Sequence, residues 1–342
     1  MRLGVRDAWQ ARPTGGPLDE IPESMTAAVI DATGSPAVLR TATVPVPHRS
    51  GSEFIVRVVA AGVNPIDAKT RAGGGVAAEL PGYPAVLGND FSGVVVRSPY
   101  EAHPLQPGTE VYGMVPVPRY SGSYGQYIAV PSLSIARKPP TLSHVEAAAV
   151  PVAALMAWGM VVELAKAHDG QRVLIHAGSG GVGHFAVQFA RYFGAHVTAT
   201  GSTRNLEWLR ELGASVAIDY TTTRFDEVVG EVDVVIDLVG NVHDDTGSRS
   251  LRVLRRGGLI VNAPTGSWPT MSAEAEAAGV RATTYKVAPD GDTLSTITRL
   301  LESGDVKVFV DGVFDLDKAA EAHTVLEDGH TRGKLVLKLA DS

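Results

Sequence analysis

The stretch HAGSGGVGHFAVQFARYFGA, residues 176–195, constrains this 342-residue chain more than any other, and the apolar run Val173, Leu174, Ile175 leads straight into it. Gly178, Gly180 and Gly183 have the G-x-G-x-x-G spacing. In that spacing the first glycine makes a tight turn, the second lets backbone approach a pyrophosphate, and the third packs a helix against a strand. Ser179, Gly181 and Val182 complete the turn, and the helix that follows aims its first N–H groups at an anion. Glycine-rich turns occur in many loops, so the flanks decide. Arg172–Ile175 reads as a short strand, Val182–Phe193 has helical apolar spacing, and His196–Thr200 resumes as a strand after the stop at Gly194. That is a βαβ unit built for a dinucleotide.

A chain this long exceeds what one core supports, so two domains are expected, and 44% apolar residues supply ample material to bury. A formal net charge of −7 without a long basic run argues against nucleic acid as a partner, because phosphate binding needs clustered cations. The chain has no cysteine, which removes disulfides, thiolate nucleophiles and cysteine-ligated zinc, and is compatible with the cytoplasm. The longest apolar run, Ala147–Val162, is interrupted by Pro151 and Gly159 and falls short of the ~20 residues a membrane span needs. It reads as one buried helix. The first 24 residues lack an apolar signal-peptide core and read as a flexible extension, with Met25 opening the first strand, MTAAVI.

From Met25 to about Pro140 short β-like runs such as FIVRVVAAG (54–62), FSGVVV (91–96) and YGQYIAV (124–130) alternate with Gly/Pro turns, the texture of a strand-rich, barrel-like domain. From about Leu142 strands alternate with helices: Val173–His176, His196–Thr200, Val216–Asp219, Val232–Leu238, Gly258–Val261 and Val280–Val287. Such alternation predicts a doubly wound parallel sheet, an α/β fold. From about Asp292 the pattern gives a helix (Leu294–Glu302), another helix (Leu316–Leu326) and a terminal strand, LVLKL (335–339), that returns to the first domain. The expected division is therefore 25–141 with 291–342 as the barrel-like part and 142–290 as the dinucleotide-binding part. The cleft between them is the natural active site.

A Rossmann unit for NAD carries an Asp or Glu about 20 residues after the glycines, whereas an Arg there accommodates a 2′-phosphate. Here the second strand ends in TATGSTRN (198–205), with no carboxylate before Glu207. Ser202 and Thr203 offer hydroxyls, and Arg204 offers charge-assisted bonds to phosphate. Ser202–Asn205 also reads as a cap for the next helix, but a cap does not require arginine. NADP(H) is the expected cofactor.

The element order, with the motifs AGVNPIDAKTRAG (61–73), PAVLGNDFSGVV (84–95), HAGSGGVGHFAVQFAR (176–191) and GHTRGKLVL (329–337), resembles the medium-chain dehydrogenase/reductase superfamily over residues 25–340. Within it the chain is similar to the zinc-free quinone oxidoreductase branch, which includes zeta-crystallin-like enzymes and NADPH-dependent reductases of α,β-unsaturated carbonyls. The resemblance implies a GroES-like catalytic domain beside a Rossmann domain, and a homodimer. It also implies that no metal is bound, since Asn64 stands where zinc-dependent relatives have a Cys ligand and Asn89–Asp90 where they have a His–Glu pair.

By the same resemblance, Asn205 and Tyr220 join the cofactor-binding set and Asn64 lies near the nicotinamide as a catalytic candidate. Asn-Pro is also a turn signal. Lys69 replaces a tyrosine common in relatives; facing the cleft it would stabilise an enolate oxygen, and a solvated surface lysine is the competing reading. Tyr124 and Tyr127 are alternative proton donors or barrel-packing residues. Met156 replaces a threonine near the cofactor, and Asn205 and Glu207 replace the Lys and Asp of polyketide enoyl reductases, whose mechanism is therefore not implied. His184 and His323 read as packing or surface residues. The implied activity is hydride transfer from NADPH to an activated C=C or a quinone, with C=O reduction or cofactor binding without turnover as alternatives.

Overall fold

The protein is described by a computed structural model covering residues 21–116 and 122–340, so most of the expected N-terminal extension, residues 1–20, lies outside the described residues. The strands β1 (Ser24–Ile30), β2 (Arg40–Pro45), β3 (Glu53–Val63), β4 (Ala85–Val86), β5 (Asp90–Arg97), β6 (Glu110–Met114), β7 (Tyr127–Pro131) and β8 (Ile135–Arg137) come first along the chain. β3, EFIVRVVAAGV, is buried at every position except the half-buried Arg57. A strand hydrophobic on both faces must be covered on both. It accordingly forms the spine of a seven-stranded sheet, pairing antiparallel with β5 and β7.

The six strands expected after residue 142 are all present: β9 (Arg172–Ile175), β10 (His196–Gly201), β11 (Val216–Asp219), β12 (Val232–Asp237), β13 (Leu254–Asn262) and β14 (Arg281–Thr284). They form one parallel sheet in the order β11-β10-β9-β12-β13-β14. The order reverses at β9, which opens a crevice beyond the carboxyl ends of β9, β10 and β12.

The apolar run 147–162 is not the single helix expected. It divides into a helix ending at Ala148, a helix Pro151–Trp158 and a π-helical turn Gly159–Leu164. Pro151 lacks an N–H to continue a helix and takes the first position of a new one. Gly159 lets the Tyr285 ring approach so closely that a Cβ would lie 1.9 Å from it.

The helix Gly291–Ser303, expected to start the returning part, straddles the two. Leu294, Ile297, Leu300 and Leu301 enter the core shared with Val173, Phe185 and Ile236. Tyr112 of β6 meets the same helix through Leu294 O (3.2 Å) and Thr298 Oγ1 (2.8 Å). Strands β15 (Val310–Asp315) and β16 (Lys334–Lys338) then pair in parallel, and β16 lies antiparallel to β3 with Leu335 opposite Val63. Between them the expected helix over 316–326 is a 3-10 turn, Leu316–Lys318, and a helix, Ala319–Glu327. This return carries residues 329–334 across the crevice. Among the described residues no helix is long and apolar enough to cross a membrane.

Candidate active site

The glycine turn sits at the carboxyl end of β9. Ala177 is left-handed (φ 51°), and its N–H and that of Gly178 donate to Thr200 Oγ1 (3.2 Å) and Thr200 O (3.0 Å) on β10. Buried His176 braces the turn from below: its Nε2 is 2.8 Å from Ser250 Oγ and its Nδ1 3.2 Å from Thr200 Oγ1. Ser250 donates its own hydroxyl hydrogen to Thr246 O (2.7 Å), so Nε2 is the imidazole donor and Nδ1 the acceptor. Burial pushes His176 down to about 4, consistent with a neutral ring.

The glycines have different reasons. A Cβ on Gly183 would lie 2.1 Å from Ala177 O, so only glycine permits this helix to start against the strand. A Cβ on Gly180 would meet nothing of the protein closer than Ala177 O at 3.4 Å. Packing does not demand that glycine; close approach of a pyrophosphate to the backbone would. Ser179, Gly180, Gly181 and Val182 are all partly exposed, so their backbone can receive a pyrophosphate above the helix Gly183–Tyr192.

At the carboxyl end of β10, Ser202 is half-buried and Thr203 and Arg204 are exposed. Asn205 ties this segment to the turn, donating to Ser179 Oγ (3.0 Å) and Ser202 Oγ (3.2 Å). The Thr203 hydroxyl is given to Asp219 at the end of β11, and Tyr220 beside it is exposed. Arg204 donates to His330 O. From the returning segment Arg332 donates to Asn205 Oδ1 (3.1 Å) and Arg204 O (3.0 Å), with its guanidinium 5.1 Å over the Trp208 ring. Thr331 Oγ1 is buried without a hydrogen-bond partner next to it. Two guanidinium groups with an unspent hydroxyl fit the 2′-phosphate of NADP.

On the barrel side of the glycine turn, next to Gly181, lies a buried polar cluster. Asn64 caps the helix Pro65–Arg71, and its N–H donates to Asp67 Oδ2 (2.9 Å). Its side-chain Nδ2 donates to Asp90 Oδ2 (2.9 Å), and its Oδ1 accepts from Lys334. Lys334 also donates to Val63 O (2.9 Å) and Asp90 Oδ2 (3.3 Å), while Asp90 Oδ1 accepts the Val152 N–H (2.7 Å). Burial raises Asp90, opposed by Lys334, Asn64 and the Val152 N–H; every group hydrogen-bonded to it is a donor, the surroundings of a carboxylate. Asp67 is pushed up to about 7 by burial and by nearby Asp90. The Tyr124 hydroxyl, fully buried, lies 3.3 Å from Asp67 Oδ2 and 3.1 Å from His323 Nε2.

Sequence and structure comparisons match this arrangement to known proteins. Residues 50–140 match the alcohol dehydrogenase GroES-like domain and residues 212–337 the zinc-binding dehydrogenase model. A 2-methylene-furan-3-one reductase of Solanum lycopersicum is 36% identical over 93% of this chain and 80% of its own length. The NADPH-dependent alkenal/one oxidoreductase, chloroplastic, of Arabidopsis thaliana is 35% identical with the same coverage. The structure of the quinone oxidoreductase from Coxiella burnetii superposes with a TM-score of 0.87 at 36% identity, covering 93% of this chain and all of that one. The chain belongs to the medium-chain dehydrogenase/reductase superfamily.

It falls on the quinone oxidoreductase branch of that superfamily. The positions that would carry zinc ligands hold a different device: Asn64 and Asp90 are bound to each other and to the Lys334 ammonium, a donor set that does not fit zinc. Among the described residues no group of three or more His, Asp or Glu is placed to hold a metal.

Asn64 lies in this cluster, but Lys69 does not; it is exposed on the last turn of the same helix. Tyr124 is buried and Tyr127 half-buried, whereas Met156 packs half-buried against the core. His184 and His323 are both fully buried. Sequence reasoning missed Asp67, Asp90, Arg332 and Lys334 as members of the site. The motif GHTRGKLVL contained the last two, and only the return of β16 to β3 shows that one tripeptide, Arg332–Gly333–Lys334, reaches both ends of the crevice.

Proposed function

We propose that the chain is an NADPH-dependent, zinc-independent oxidoreductase that delivers hydride to the activated C=C of an enone or to a quinone. One observation carries this reading: a buried carboxamide, Asn64, is clasped by Lys334 and Asp90 with one N–H unspent. The bound nicotinamide supplies the hydride. Ser179, Gly180, Gly181, Val182 and Gly183 seat the pyrophosphate. Arg204 grips the 2′-phosphate together with Ser202, Thr203 and Asn205, and Tyr220 flanks the adenosine.

When hydride reaches the β-carbon, charge grows on the substrate carbonyl oxygen, and a preoriented N–H in a dry site stabilises it. Asn64 supplies that N–H. Lys69 is the second catalytic residue in this reading, an ammonium for the enolate oxygen at the exposed side. Residues 25–141 with 291–342 form the catalytic part and 142–290 the cofactor part of a cytoplasmic homodimer.

The test is NADPH consumption with a panel of quinones and 2-alkenals, unaffected by chelators, with product analysis separating C=C from C=O reduction. Tight NADPH binding without turnover on any acceptor overturns the reading in favour of a cofactor-binding accessory protein.

A further inference from the structure

We propose that Lys334 is a positioning residue, which fixes the edge that Asn64 presents to the substrate. The inference rests on the reading of Asn64 given above and adds what holds it.

An ammonium has three hydrogens to donate. Those of Lys334 go to Val63 O, Asn64 Oδ1 and Asp90 Oδ2, and the residue is buried, so none is left for a substrate oxygen or for proton transfer. Its work is done on Asn64. A carboxamide has nearly the same shape in its two flipped orientations, so packing cannot choose between them. Charge can. In the observed orientation Oδ1 faces the ammonium and Nδ2 donates to the Asp90 carboxylate; the flip would put NH2 against the cation and oxygen against the anion. Asp90 is itself held by the Val152 N–H. What remains free on Asn64 is one N–H, the group a developing oxyanion needs.

The stem of the same lysine lies against the phosphate turn. Lys334 Cδ lies 3.0 Å from where a Cβ on Gly181 would stand, and the Gly333 N–H donates to Ser179 O (3.0 Å). Gly333 is left-handed (φ 73°), and a Cβ there would lie 2.4 Å from Phe309 O, so this path of the chain is fixed. The lysine that orients Asn64 is thus packed directly against the phosphate turn.

The decisive variant is the double substitution Lys334→Met with Asp90→Asn, which removes both charges together. The carboxamide introduced at position 90 still accepts the Val152 N–H through its oxygen, and its NH2 turns towards Asn64 and selects the flipped amide. The expected result in the full-length enzyme is an NADPH dissociation constant within about threefold of wild type and a kcat on a 2-alkenal lower by about 100-fold. In an Asn64→Ala background the same pair should lower kcat no further, because its effect passes through Asn64. A folded double variant with kcat within about threefold of wild type, or one whose whole loss is a raised NADPH dissociation constant, overturns the proposal. If Asn64→Ala alone leaves kcat unchanged, the reading of Asn64 fails as well; if Asn64→Ala is slow and the double variant is not, only the role of Lys334 fails. Should the double variant not fold, Lys334→Arg decides: it keeps a cation against Asp90 but misplaces the donors. It should lower kcat about tenfold with NADPH binding intact, and an unchanged kcat overturns the proposal.

Discussion

The two ends of the crevice use cations in opposite ways. At the adenosine end Arg204 is exposed and Arg332 half-buried, and their guanidinium groups bond to His330 O, Arg204 O and the Asn205 amide; among the described residues neither pairs with a carboxylate. At the barrel end Lys334 is buried and neutralised by Asp90. Unneutralised cations near solvent keep their charge for a ligand, at the cost of screening by salt. A buried, satisfied ion pair has nothing left to give a ligand, and its effect is to fix the geometry of its neighbours.

The largest effects should fall on the buried end. Asp90→Ala leaves the Lys334 ammonium buried without its counter-charge, which should cost about 3–5 kcal/mol in urea unfolding. Arg204→Ala should stay within about 0.5 kcal/mol of wild type in the same assay. Equal losses would break the comparison.

Between these ends the glycine turn gives an internal control. Gly183→Ala pushes a methyl to within 2.1 Å of Ala177 O and should lower both stability and NADPH binding. Gly180→Ala has room within the protein and should leave unfolding unchanged while weakening NADPH. Next in size, Arg204→Ala and Arg332→Ala should each weaken NADPH about tenfold or more, from the 1.5–3 kcal/mol of a charge-assisted bond, and leave NADH unaffected in fluorescence titrations. Equal loss of NADH would remove both from the 2′-phosphate.

What the sequence made legible follows the same division. The βαβ unit, the six parallel strands and the glycine turn were readable because their signals are local: apolar periodicity, a stop at Gly194, spacing of glycines. The break in 147–162 was visible in principle at Pro151, whereas the Tyr285 ring that packs on Gly159, where the π-helical turn starts, comes from 126 residues away along the chain. The buried cluster was illegible for a related reason. Asn64, Asp90 and Lys334 are brought together by the β3–β16 and β3–β5 pairings, and nothing in their local sequence distinguishes a buried lysine from a solvated one. Lys69 illustrates the converse: its sequence left a cleft-facing and a solvated lysine open, and its exposure is read only from the fold.

The smallest and most specific contrast is in pH dependence. Asp67, held at about 7 chiefly by burial, keeps its proton in the folded protein over a range where the unfolded chain, with an aspartate near ~3.9, has lost it. From about pH 4 to 7 the folded state therefore binds more protons than the unfolded one, and stability falls as pH rises, levelling off above 7. Asp67→Asn removes that slope, and its amide oxygen can still accept from the Asn64 N–H. The melting temperature of the variant relative to wild type should climb from pH 4.5 to 7.5 and then hold. Buried His184 and His323, each lowered to about 4 mainly by burial, act in the other direction: stability is lost as pH falls from 6.5 towards 4. Wild type should thus be most stable between these limits, and the variant at higher pH. At the adenosine end half-buried Asp219 is lowered by the Thr203 and Thr221 hydroxyls, so Asp219→Asn should lose a small increment that is present at neutral pH and vanishes on acidification. A flat difference for Asp67→Asn across pH 4.5–7.5 would mean that Asp67 is ionised in the folded state. The cluster behind Asn64 would then carry a second negative charge, which one ammonium cannot neutralise, and the contrast between a charge-balanced end and an open one would fail.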